Sequence, residues 1–180
     1  SRNSGTARRR TVYFLEPLFP LPQLVIVGAG HVGRALAHLG KRLDFEVTVI
    51  DDRPEFANPS RFPEADVLVV DEISRAVRNF PVSSDTSMVI VTRGHRHDAE
   101  ALRACIRSPA AYIGMIGSLR KVALMREEFL KEGWATGAEF DRVHAPIGLR
   151  IGSTTVEEIA VSIAAELVLV RSRARQGEPG

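Results

Sequence analysis

This chain is nearly without cysteine: Cys105 stands alone among 180 residues, so no intramolecular disulfide forms and no CxxC metal site exists. No apolar run is long enough to span a bilayer, and the N-terminus lacks the apolar core of a signal peptide; the expectation is a cytoplasmic protein with no membrane partner. Internal repeats and low-complexity segments are also missing. No Ser-His-Asp constellation is readable, so no catalytic residue and no metal ligand set is assigned.

What is there is ordinary for a folded domain. A hydrophobic share of 44% and a charged share of 26% describe a soluble globular chain, and 180 residues fit one domain with a proper core. The pI of about 9.0 invites a nucleic-acid reading, but the positive charge sits at the ends. Four arginines within residues 1–10 carry +4, and three arginines and one glutamate after residue 170 carry +2, so a net +2 leaves the body at −4. No nucleic-acid partner is expected.

Residues 1–22 read as a polar tail, a short strand at Thr11–Leu15 and a stiff linker through Pro17, Pro20 and Pro22. From residue 23 onward, apolar runs of strand length at 24–27, 47–50, 67–70, 88–91 and, more weakly, 111–115 alternate with helical spacing. Val32, Ala35, Leu36, Leu39 and Leu43 share one helical face, as do Leu102, Cys105 and Ile106, and Val122, Met125 and Phe129 before a stop at Gly133. A long last helix opens after Thr154 and Thr155, each followed three residues on by a glutamate in a capping-box arrangement. Strands alternating with amphipathic helices predict an α/β fold: a Rossmann-type doubly wound parallel sheet over residues 23–172, with 173–180 as a loose tail.

Gly28-Ala29-Gly30-His31-Val32-Gly33 follows the first of these strands and opens the first helix, with Asp51 at the end of the next strand. Gly28 permits the turn, Gly30 lets a phosphate approach the backbone, Gly33 lets helix and strand pack closely, and the free amides at the helix start favour an anion. Asp51 or Asp52 could accept from a ribose diol, which favours NAD over NADP, while Arg53 weakens that preference. The bland alternative is that the glycines only close a turn.

Two further loops belong to the same sheet edge. Thr92-Arg93-Gly94-His95-Arg96-His97-Asp98 follows the fourth strand; Asp98 is expected to cap the next helix and leave both histidines in the loop, with His95 the better ligand contact. Gly117-Ser118-Leu119-Arg120-Lys121 follows the fifth, with Ser118 as N-cap and two cations in the first turn, where the helix dipole disfavours them. Either a bound phosphate removes that conflict or both side chains point to water. His144, before Pro146, either returns to this edge or packs beneath the proline turn, and Cys105 on its apolar helix face reads as a buried structural thiol.

Together with Phe14-Leu15-Glu16-Pro17, Ile50-Asp51-Asp52-Arg53-Pro54-Glu55-Phe56, Tyr112 to Ser118, His144-Ala145-Pro146-Ile147-Gly148-Leu149 and Glu157 to Ile163, these stretches give the chain a resemblance from Phe14 to Val170. It resembles the C-terminal domain of the XdhC/CoxI family, accessory factors of xanthine dehydrogenase and related molybdenum hydroxylases. The N-terminal strand then looks like the remnant of an upstream CoxI domain. The resemblance implies a non-catalytic, chaperone-like factor that holds molybdenum cofactor, a pterin phosphate, during its maturation and insertion. The partners it implies are a molybdenum hydroxylase and a cysteine desulfurase. His95-x-x-Asp98 and Gly117-Ser118 carry over as ligand contacts, and Leu119 stands where the family commonly has arginine.

The expected ligand contacts are therefore Gly28, Gly30, His31, Val32, Gly33, Asp51, Asp52, Arg53, Thr92, His95, Gly117, Ser118, Arg120 and Lys121. Two rival readings stand beside the accessory factor. One is an NAD-dependent oxidoreductase with His95 or His144 as its acid or base, the other a nucleotide-sensing regulatory module. Apolar content through Leu169 and Val170 leaves open a homodimer surface and a buried packing helix alike.

Overall fold

The computed structural model describes residues 21–176; the expected strand at 11–15, its flanking tail and linker, and residues 177–180 lie outside the described residues. The five apolar runs form β1 (Gln23–Val27), β2 (Glu46–Asp51), β3 (Val67–Val70), β4 (Thr86–Ile90) and β5 (Tyr112–Met115). All neighbouring pairs are parallel and the order is β3-β2-β1-β4-β5, so the chain steps outward from β1 on both sides. Val27 lies level with Ile50 on one side and Ile90 on the other, which brings the carboxyl ends of β1, β2 and β4 to one line.

Helices cover both faces because strands buried on two sides need two apolar layers. α1 (His31–Arg42) and α6 (Val156–Gln176) cover one face, where Leu36 and Ala37 meet Leu24, Ile26, Ile163 and Leu167. α2 (Ile73–Asn79), α3 (His95–Cys105), α4 (Leu119–Lys131) and α5 (Gly137–Asp141) cover the other, where Leu102, Met125 and Phe129 meet Val25, Val27 and Met88. Neighbouring residues of β1 thus serve opposite layers, as the strand period requires. Among the described residues no helix is long and apolar enough to cross a membrane.

The β2–β3 connection carries no helix. It is a folded loop held by Asn58, whose amide donates to the carbonyls of Pro54 and Glu55, and by burial of Ala57 and Phe62. Thr155 caps α6 as expected: its Oγ1 accepts from the Glu158 amide, and the Glu158 carboxylate accepts from the Thr155 and Thr154 amides. These bonds hold the Glu158 carboxyl down at about 2.

Two expectations need correction. The helix after β4 starts at His95, with Gly94 as N-cap, so His95 and His97 belong to its first turn and not to the preceding loop. Asp98 lies inside α3 and bonds backward to Thr92, locking the strand-to-helix turn instead of capping. α6 runs on to Gln176, and Arg171 ties it to the chain that follows α1. The Arg171 guanidinium donates to the Leu43 carbonyl at 2.7 Å and lies 4.8 Å over the Phe45 ring.

Candidate functional site

The turn after β1 separates its three glycines by function. Gly28 has φ +119° and a Cβ there would fall 2.4 Å from the Val91 carbonyl oxygen; a Cβ on Gly33 would fall 2.1 Å from the Gly28 oxygen. Both are required by close backbone approach. Gly30 is different, since a Cβ would meet nothing within 4 Å. It is the N-cap of α1 but offers no side-chain cap, and the first turn holds no acid, so the leading amides and dipole of this 12-residue helix have no side-chain partner among the described residues. His31 is exposed there, and Val32 packs partly into the α1/α6 layer.

The two acids of the β2 end are each bonded to an arginine. Asp51 is buried, and Oδ2 accepts from the Ala29 amide at 2.7 Å and Arg53 Nη2 at 3.0 Å, while Oδ1 accepts from the Arg53 amide at 3.0 Å and Nε at 2.9 Å. A carboxylate offers about four lone-pair directions, and all are taken. Arg53 in turn stacks 3.7 Å over Phe56. Asp52 receives both terminal nitrogens of Arg93, at 2.5 and 2.8 Å, and the Arg93 hydrogen bonds hold its carboxyl down at about 2. Because β1 lies between β2 and β4, this pair crosses the end of β1 beside the glycine turn.

At the β4 and β5 ends, Asp98 is fully buried and accepts from the Thr92 amide at 3.1 Å, Thr92 Oγ1 at 2.5 Å and Lys121 Nζ at 2.7 Å. Lys121 thus reaches across from α4 to α3, which offsets its unfavourable position in the first turn of α4. Arg120 is exposed. Ser118 is the N-cap, its Oγ accepting from the Lys121 amide at 3.2 Å, and Gly117 precedes it. His95 is half exposed, with Nε2 3.5 Å from a Glu128 carboxylate oxygen. The sheet order therefore gathers Gly28 to Gly33, Asp51 to Arg53, Thr92 and His95, and Gly117 to Lys121 along one edge.

His144 is not among them. Its backbone pairs with β5, its amide donating to Ile113 and its carbonyl accepting from Met115, three strand spacings of about 4.8 Å from β1. Its Nδ1 lies 3.1 Å from Glu166, which also accepts from Tyr112 Oη at 2.5 Å and the Gly148 amide at 2.8 Å. Burial pushes the Glu166 carboxyl up, but the hydrogen bonds from His144, Tyr112 and Gly148 outweigh it and leave the group below the usual range. Cys105 is buried in the α3 layer, and burial pushes its thiol up to about 12, which fits a packed, unreactive sulfur. Sequence reasoning missed Glu166 and Arg93; neither stands in a pattern that spacing could flag.

The fold and its edge define a Rossmann-type domain with an open glycine turn and an internally bonded acid at the end of β2. More particularly, residues 24–167 match the XdhC Rossmann domain, and the chain belongs to that family. It is 37% identical over 157 residues to YqeB, an uncharacterized protein of Escherichia coli, covering 87% of this chain and 28% of that one. It is 32% identical over 163 residues to a Bacillus subtilis protein described as a probable xanthine dehydrogenase subunit, covering 91% of this chain and 47% of that one. A Bacillus halodurans crystal structure described as a xanthine dehydrogenase superposes with a TM-score of 0.76 at 30% identity, covering 89% of this chain and 46% of that one. The chain thus spans about half the length of these relatives, or less.

Proposed function

We propose that this chain is an accessory domain for a molybdenum hydroxylase of the xanthine dehydrogenase type, binding a phosphate-bearing cofactor and assisting its maturation or insertion without chemistry of its own. Membership of the XdhC Rossmann family and the xanthine dehydrogenase names of two relatives support the accessory role. The observation that carries the ligand class is the contrast between Gly30 and Asp51. The helix start at Gly30 offers unpartnered amides to an anion, whereas of the two acids that would read a ribose diol Asp51 has its acceptor positions filled and Asp52 is clamped by Arg93. A phosphate held here beside two engaged acids suits molybdenum cofactor better than NAD or another nucleotide. The fit rests on the amides at the start of α1, with Arg93 available for phosphate once released from Asp52. That cofactor's redox chemistry would belong to the acceptor enzyme, and a cysteine desulfurase would be the partner that sulfurates it.

The test is a binding titration of the full chain with molybdenum cofactor and, separately, with NAD(H). Saturable cofactor binding that falls at least tenfold in Gly30→Glu, with no hydride turnover, is expected. Tighter binding of NAD(H), or its oxidation or reduction, would replace this reading with the oxidoreductase one.

A further inference from the structure

The outer face of α1 carries His31, Arg34, Ala35 and His38, spaced i, i+3, i+4 and i+7 so that they share one stripe. The 60–65 stretch of the β2–β3 loop and the start of α6 rise on either side of this stripe and enclose a groove of about 710 Å³. That volume is in the range of small-molecule sites. The groove meets the glycine turn at His31, but it lies along the helix and not over the sheet edge.

Its charges are not settled internally. His38 and Glu64 satisfy one another, with Nδ1 2.6 Å from the carboxylate. Arg34 and Arg61 also line the groove, and neither has an ion-pair partner among the described residues. Arg61 Nε is a buried donor with no acceptor among the described residues, and its guanidinium lies 4.9 Å from the Phe56 ring. An unpaired buried donor is costly, so the Arg61 side chain gains by turning its Nε–H outward to an acceptor held in the groove. The rest of the lining is largely apolar, including Phe62 from the loop and Val161 from α6, the latter 47% exposed. Glu157, at the start of α6, gives the opposite wall one carboxylate that suits an N–H or O–H donor.

We propose that this groove is a binding site for a small, flat anion, with Arg34 and Arg61 holding its phosphate or carboxylate and the apolar lining receiving its body. The groove is a second site, separate from the Gly30 turn where the function above seats the cofactor's phosphate, and it rests on that function only in taking an anion of the same chemical class. Two guanidinium groups suit a phosphate because each presents a planar fork of donors.

The test uses AMP, inorganic phosphate and molybdenum cofactor as probes on the full chain, following backbone amides and arginine Nε–H signals by NMR. Saturable shifts at Arg61 Nε and along α1, with affinity at least tenfold weaker in R34A/R61A, are expected. Thermal unfolding of the double variant checks that it is folded. Saturable binding that is indifferent to R34A/R61A and lost in Gly30→Glu would overturn the groove and leave the phosphate-cofactor reading standing. Absence of saturable binding by all three probes would overturn both.

Discussion

The crevice at the end of β1 and the groove beside α1 are neighbours that share His31, yet their charges are treated in opposite ways. In the crevice and its flanking loops, Asp51 is bonded to Arg53, Asp52 to Arg93 and Asp98 to Lys121. In the groove, Arg34 and Arg61 have no ionic partner, and one buried Arg61 nitrogen has no acceptor, among the described residues. The glycine motif draws attention to the first region, but its charged groups there are largely occupied in holding loops together. Unspent binding capacity lies in the open Gly30 amides and in side chains that no motif contains. A recognisable fingerprint thus fixes a backbone shape more firmly than it fixes which side chains meet a ligand.

That contrast can be broken first at the backbone. Gly33→Ala puts a methyl group against the Gly28 carbonyl, and it should cost about 3 kcal/mol in urea unfolding. Gly30→Ala should stay within about 0.5 kcal/mol of the parent, since nothing lies near its Cβ. Equal losses from both would show that Gly30 is a packing residue and not an opening.

Removing the partner of the buried acid should come next. Lys121→Ala leaves the Asp98 carboxylate with Thr92 alone, and a loss of about 2 to 3 kcal/mol is expected, on the low side for a buried pair because Lys121 is 28% exposed. A loss below about 0.5 kcal/mol would mean that Lys121 is free to serve a ligand after all.

The smallest loss expected from breaking an ion pair belongs to the pair across β1. Asp52→Asn should lower stability by only about 0.5 to 1 kcal/mol, because both partners are about one-third exposed. The pH dependence follows from the lowered Asp52 carboxyl. The folded group titrates at about 2 against an ordinary 3.8, so its contribution is present above the ordinary value and fades as pH falls through about 2. Parent and variant stabilities should therefore converge between pH 4 and pH 2, and a constant gap across that window would deny the pair any role.

Much of the fold was legible because its signals are local. β3 spans the apolar run at 67–70 itself, and α6 begins just after the threonine of its capping box. α2 escaped notice because only Ile73, Ala76 and Val77 face inward over seven residues, and its N-cap is Glu72. α5 was missed although Thr136 and Glu139 form a capping box, since five residues give no period to read. The site is less legible for a different reason. Asp52 and Arg93 are 41 residues apart and meet because only β1 separates β2 from β4, while Asp98 and Lys121 are 23 apart and meet because β4 and β5 are neighbours. Residue types and loops were readable, but partner choice depends on strand order and side-chain reach.

Glu166 bears on the order in which the molecule can be completed. Its carboxylate gathers Tyr112, His144 and Gly148, which precede it by 54, 22 and 18 residues, and Arg171 reaches back 128 residues to Leu43. Strand pairing can be established by residue 115, but the bonds that fasten the 144–148 stretch to the helical layer cannot exist before α6 is present. Loop closure over such separations is slow relative to local helix formation. The last helix therefore acts as a latch, and in a chain interrupted before residue 166 the 144–148 stretch would keep its backbone bonds to β5 but lose the carboxylate that gathers Tyr112, His144 and Gly148.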